Sequence, residues 1–81
     1  MSDVVVYVAT GCHLCPPAIA AAEAACAPRG LQPRIIDIDG VLELEHAYRQ
    51  LIPVVIVDGV EVGHYVITEG EVAAVLDRTH S

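Results

Sequence analysis

Residues 4–9, Val-Val-Val-Tyr-Val-Ala, are almost all β-branched or aromatic and predict a strand buried on both faces. Thr10-Gly11 breaks that run, and the apolar period then changes. Pro16 to Ala27 is alanine-rich, with strong intrinsic helix propensity. Its predicted core stripe is Cys15, Ile19, Ala22 and Cys26, at spacings of four, three and four. Pro28-Arg29-Gly30 ends the helix, because proline cannot continue it and glycine accepts a left-handed cap. A second strand is predicted from Pro33 to Ile38, ending at Asp39-Gly40. Val41, Leu44, Tyr48 and Leu51 then share one face of a short helix, with Glu45 and Arg49 paired four apart outside it.

Ile52-Pro53 leads into Val54-Val55-Ile56-Val57, and Asp58-Gly59 separates this run from Val60-Glu61-Val62. Asp-Gly between two apolar runs predicts a hairpin, since a type I′ turn requires positive φ at both central residues. Thr68-x-x-Glu71 has the form of a capping box and opens a helix carrying Val72, Val75 and Leu76. The predicted fold class is α/β, in the order β-α-β-α-β-β-α. The first β-α-β unit should be parallel and right-handed and the last two strands antiparallel. Helices are expected on both faces of a four-stranded mixed sheet, in a single domain spanning residues 1–81.

Composition supports an aliphatic core: 54% of residues are hydrophobic, with no Trp and no Phe. The formal charge of −7 comes from 11 acidic residues against four arginines. Nucleic acid and anionic membranes repel such a surface, so neither is expected as a partner. The first apolar run is too short to cross a bilayer and has no signal-like segment ahead of it. A reducing cytoplasm is therefore the expected setting, and the chain is expected to be a monomer.

Three cysteines are present, an odd number that excludes a complete set of structural disulfides. Cys12-His13-Leu14-Cys15 lies between a buried strand and a helix. A helix start presents unpaired N–H groups and the positive end of the dipole, which favour a thiolate, the nucleophile of thiol–disulfide exchange. Cys12, at the loop edge, is the expected attacker. Cys15, one turn deeper, is the expected resolver of the mixed disulfide. A structural zinc site would need two further ligands, and only Cys26 and scattered histidines remain. Cys26 is about 16 Å along the helix from Cys15, too far for a disulfide, and reads as a small buried hydrophobe.

With this motif and element order, the chain resembles the glutaredoxin-like branch of the thioredoxin superfamily over nearly its whole length. Tyr7 and Gly11-Cys12-His13-Leu14-Cys15 are similar to the family's active-site segment, Ile52-Pro53-Val54 to its cis-proline segment, and Asp58-Gly59 to its hairpin. The resemblance implies a cis Pro53 beside Cys12, with the backbone of Ile52 free to pair with a substrate backbone. It places Gly11, His13, Ile52 and Pro53 at substrate-binding positions around the Cys12/Cys15 dithiol. The implied activity is reduction of protein or small-molecule disulfides without a bound cofactor, the dithiol being recycled by glutathione or a thioredoxin reductase. The chain departs from glutathione-using members at Val8-Ala9-Thr10, where a basic residue is common. It departs again at Gly63-His64-Tyr65-Val66, where Gly-Gly and acidic residues are. Gly11 stands where thioredoxins carry Trp.

Two other function classes fit the same residues: a metal-binding or metal-delivery module using Cys12 and Cys15, and a non-catalytic interaction domain. His13 reads either as a group favouring the Cys12 thiolate or as a solvated side chain. His64 reads either as a surface histidine or as one facing the active-site cleft, His46 and His80 as exposed helix positions, and Thr10 as a strand-end residue or one that hydrogen-bonds around the active-site turn. Glu43, Glu45, Glu69 and Glu71 read as solvated faces and a cap.

Overall fold

The computed structural model describes residues 2–79, so His80 lies outside the described residues. The elements are β1 (Val4–Val8), α1 (Cys15–Cys26), a single 3-10 turn (Ala27–Arg29), β2 (Arg34–Asp37), α2 (Leu42–Tyr48), β3 (Val54–Val57), β4 (Val60–His64) and α3 (Glu69–Thr79). They follow the expected order. The sheet runs β2-β1-β3-β4, with β1 and β2 parallel and the β1–β3 and β3–β4 pairs antiparallel.

One face of the sheet carries the main core. Val4 and Val6 oppose Val57 and Val55, so all four point the same way. They pack with Ala18, Ala22, Ala25 and Cys26 of α1 and with Val72, Val75 and Leu76 of α3. The buried stripe of α1 is thus wider than predicted, because Ala18 and Ala25 are buried while Ile19 is only half-buried. Alanines at these positions let the helix backbone lie close against its neighbours, and the larger Ile19 sits at the margin.

The opposite face is thinly covered. None of the residues of α2 is buried, Leu42 is 73% exposed and Val41, on the predicted apolar face, is 45% exposed. The helix has only seven residues and holds the sheet chiefly through Tyr48, whose ring stacks on Tyr7 at 4.5 Å between centroids. Strand β1 is correspondingly buried at Val4, Val5 and Val6 but only half-buried at Tyr7 and Val8.

Local signals took the form their residues require. Asp58 and Gly59 have φ of 50° and 84°, as a type I′ hairpin demands. Strand β4 runs two residues beyond the predicted Val62 because the register slips between Val55 and Ile56. Val62 thereby loses its opposite number and packs against the core. The Thr68 N–H donates to the Glu71 carboxylate at 3.1 Å, and the Glu71 N–H donates to the Thr68 hydroxyl at 3.2 Å. Both exchanges of a capping box are present. Arg29 reaches from the end of α1 to Asp77 of α3 at 3.0 Å, an exposed pair of small energetic weight.

Among the described residues no helix is long and apolar enough to cross a membrane. Thr68→Ala removes the cap and should lower unfolding stability by about 1 kcal/mol in urea denaturation, with an unchanged m-value.

Candidate functional site

Strand β1 delivers the cysteine pair. After Val8 the chain turns through Gly11, whose φ of 80° is open to glycine and strained for other residues. The Cys12 N–H donates to the Ala9 carbonyl at 3.4 Å, closing the turn. Helix α1 begins at Cys15, one residue before the predicted start, with Leu14 at its N-cap. Pro16 and Pro17 therefore fall in the first turn, where a missing N–H costs no intrahelical bond. The same prolines remove two of the donors that a helix start ordinarily presents.

Cys12 and Cys15 are linked as a disulfide, with Cα atoms 5.5 Å apart. Their exposures differ: Cys15 is 4% exposed, whereas Cys12 is only half-buried. His13 and Leu14, between them, are exposed. Cys26 is fully buried in the core, and burial pushes its thiol pKa up, with Arg29 opposing the shift. Among the described residues, no three His, Cys, Asp or Glu side chains converge as a metal-binding group.

Tyr7 lies opposite Val54 in the antiparallel β1–β3 pair. The chain leaving β1 toward Cys12 and the chain entering β3 through Pro53 therefore meet at one end of the sheet. The Ile52–Pro53 peptide is cis, and the Pro53 side chain is fully buried. The Ile52 backbone is not wholly free, as the resemblance had implied. Its N–H donates to the Tyr48 carbonyl at 3.0 Å, beside a 2.8 Å bond from the Leu51 N–H to the same oxygen. The end of α2 uses both donors on its last carbonyl, that of Tyr48.

Two residues at this end of the sheet escaped the sequence reading. The Asp39 carboxylate accepts the Thr10 N–H at 2.9 Å and lies 3.6 Å from the Arg49 guanidinium, which also pairs with Glu45. Asp39 thus ties the turn before Cys12 to the β2–α2 connection. Its partner is 29 residues away, so only the Asp-Gly turn signal was visible. Tyr65 has a φ of 63°, a conformation that tyrosine seldom adopts. Its N–H donates to the Pro53 carbonyl at 3.0 Å and its hydroxyl to the Gln50 carbonyl at 2.7 Å. The only sequence signal was the departure at Gly63-His64-Tyr65-Val66. His64 and His46 are exposed, and His64 lies 3.5 Å from Glu61 and edge-on to the Tyr65 ring.

Residues 3–77 match the family model described as "Glutaredoxin-like domain (DUF836)". Two solved structures are similar across almost the full chain. Protein XcR50 of X. campestris, determined by X-ray, is 29% identical with a TM-score of 0.77, covering 94% of this chain and 97% of its own. Protein Ne2328 of Nitrosomonas europaea, determined in solution by NMR, is 29% identical with a TM-score of 0.75, covering 91% and 89%. No curated protein matches the chain.

The Thr10 N–H and hydroxyl hold the Asp39 carboxyl below the usual carboxylate range, with a smaller contribution from Arg49. A depressed folded pKa stabilises the fold above the unfolded value of about 3.9. That contribution is lost as pH falls through the lower folded value. In an NMR titration the Thr10 amide shift should therefore inflect below the ordinary aspartate range, and Asp39→Ala should speed Thr10 amide exchange. An inflection in the ordinary range would contradict the tie.

Proposed function

The chain belongs to the glutaredoxin-like family and has its thioredoxin-like fold, and on that basis we propose that it is a thiol–disulfide oxidoreductase working through Cys12 and Cys15. The observation that carries this reading is the unequal exposure of two cysteines already within bonding reach of one another. An attacking thiol must meet a foreign disulfide, and a resolving thiol need only meet its neighbour.

The reaction proceeds in two displacements. The Cys12 thiolate attacks one sulfur of the substrate disulfide, forming a mixed disulfide and expelling the other sulfur as a thiolate, which takes a proton from solvent. Cys15 loses its proton and attacks the Cys12 sulfur, and the second substrate thiolate leaves. Two electrons pass from the dithiol to the substrate, and the protein is left with the Cys12–Cys15 disulfide. The low exposure of Cys15 keeps it from competing for external disulfides, while its position three residues on brings it to the intermediate at high effective concentration.

Gly11 keeps the turn ahead of Cys12 free of a side chain, and His13 stands exposed beside the attacking sulfur. Pro53 supplies an apolar wall, and the Ile52 carbonyl can accept one N–H from an extended substrate segment. The substrate contact at Ile52 is thus a single backbone hydrogen bond, not a two-bond ladder, because its own N–H belongs to α2. The substrate is a disulfide-bearing protein or a low-molecular-weight disulfide, and the electrons come from glutathione or a thioredoxin reductase in the cytoplasm. The residues that would hold the charged ends of glutathione are replaced here, which favours a protein reductant.

Cys12→Ser should abolish disulfide reduction. Cys15→Ser should accumulate a mixed disulfide through Cys12, seen as a mass adduct located by peptide mapping. Adducts on Cys15 in the unaltered protein would reverse the two roles. Cys26→Ala should leave turnover intact, with a stability cost on the order of 1 kcal/mol.

A further inference from the structure

Tyr65 is held in a conformation its side chain disfavours, outside the hairpin turn that explains the positive φ of Asp58. Residues in sparsely populated backbone regions persist when their surroundings over-determine them. Here the surroundings are two hydrogen bonds to one short segment. The backbone N–H reaches Pro53 at 3.0 Å and the phenol hydroxyl reaches Gln50 at 2.7 Å, so a single residue grips both ends of residues 50–53. Between the grips lies Ile52. Its N–H is fixed to Tyr48 at 3.0 Å, so the orientation of its carbonyl follows from how this segment is held. The left-handed turn is what brings both the N–H and the hydroxyl of Tyr65 back onto the segment. His64 braces the ring edge-on at 4.7 Å, and the ring itself remains 46% exposed.

From this arrangement we infer that Tyr65 is a positioning residue that splints residues 50–53, so that the Ile52 carbonyl is presented to an extended peptide substrate. It thereby favours peptide disulfides over small ones. The inference rests on the proposed oxidoreductase function. A peptide substrate needs the carbonyl in place, whereas a small disulfide needs only access to Cys12. Tyr65 touches neither reacting sulfur in this scheme and acts through Ile52.

The test compares reduction of an oxidised peptide disulfide with that of bis(2-hydroxyethyl) disulfide. Tyr65→Phe keeps the ring and removes the bond to Gln50. It should raise KM for the peptide by roughly threefold to tenfold, the range of one net hydrogen bond, with kcat unchanged. Turnover of the small disulfide should stay the same. Tyr65→Gly relieves the backbone and removes the whole side chain, and should raise the peptide KM at least as far without lowering the small-disulfide rate. Equal changes for both disulfides, or an unchanged peptide KM, would overturn the inference. Amide exchange separates it from the parent reading: in Tyr65→Phe the Leu51 and Ile52 amides should exchange faster whether or not the protein turns over. Unchanged exchange there overturns the splint alone, whereas failure of the unaltered protein to reduce either disulfide overturns the oxidoreductase reading and the peptide preference that rests on it, and leaves the splint standing.

Discussion

Everything at the cysteine end of the molecule depends on β1 being paired on both sides. Among the described residues it is the only strand with two neighbours of opposite sense, parallel to β2 and antiparallel to β3. Its C-terminal end therefore coincides with the C-terminal end of β2 and the N-terminal end of β3. The Ile38 N–H donates to the Val8 carbonyl at 2.9 Å, carrying the β2 pairing to the last residue of β1. Cys12 leaves the sheet from this corner, Asp39 lies just past the end of β2 and Pro53 just before β3. A one-residue slip of either pairing would turn Val4 and Val6 away from the core, so burial of these valines holds the site in register.

The two faces of the sheet divide the work. Valines of β1 and β3 and alanines of α1 form a buried layer with α3 that holds α1 against the sheet. Across the sheet, α2 is short and has no buried residue, and its Tyr48 ring stacks on Tyr7 of β1. A helix end leaves its last carbonyls without intrahelical partners, and here the Leu51 and Ile52 N–H groups both serve the Tyr48 carbonyl.

Where the chemistry was local, the sequence was legible. Asp58-Gly59, Thr68-x-x-Glu71 and the left-handed cap at Gly30 each act through residues within a few positions of each other, and each took its expected geometry. The Cys12/Cys15 pair was visible for the same reason. Apolar periodicity located α2 but not its exposure, because a helix face is buried only if something lies against it. Asp39 with Thr10 and Tyr65 with Gln50 depend on partners brought close by the sheet order, and a tyrosine carries no local mark of a positive φ. The predicted α1 stripe holds at Cys15, Ala22 and Cys26 but is too narrow: alanine shows little hydrophobic contrast, so the burial of Ala18 and Ala25 emerges only from the packing.

The double proline bears on the direction of electron flow in the proposed reaction. A helix start stabilises a thiolate through its unpaired N–H groups, and Pro16 and Pro17 supply none. The N–H groups of Leu14 and Cys15 remain at this helix start. This start is therefore left with fewer donors for a thiolate than a helix without prolines would present. The reduced form is also less stabilised relative to the disulfide, the opposite of the condition that makes a dithiol pair a strong oxidant. Arg49, beside the Asp39 tie, is engaged by Asp39 and Glu45. Under the proposed oxidoreductase reading, the loss of these two donors favours a pair that gives electrons over one that takes them.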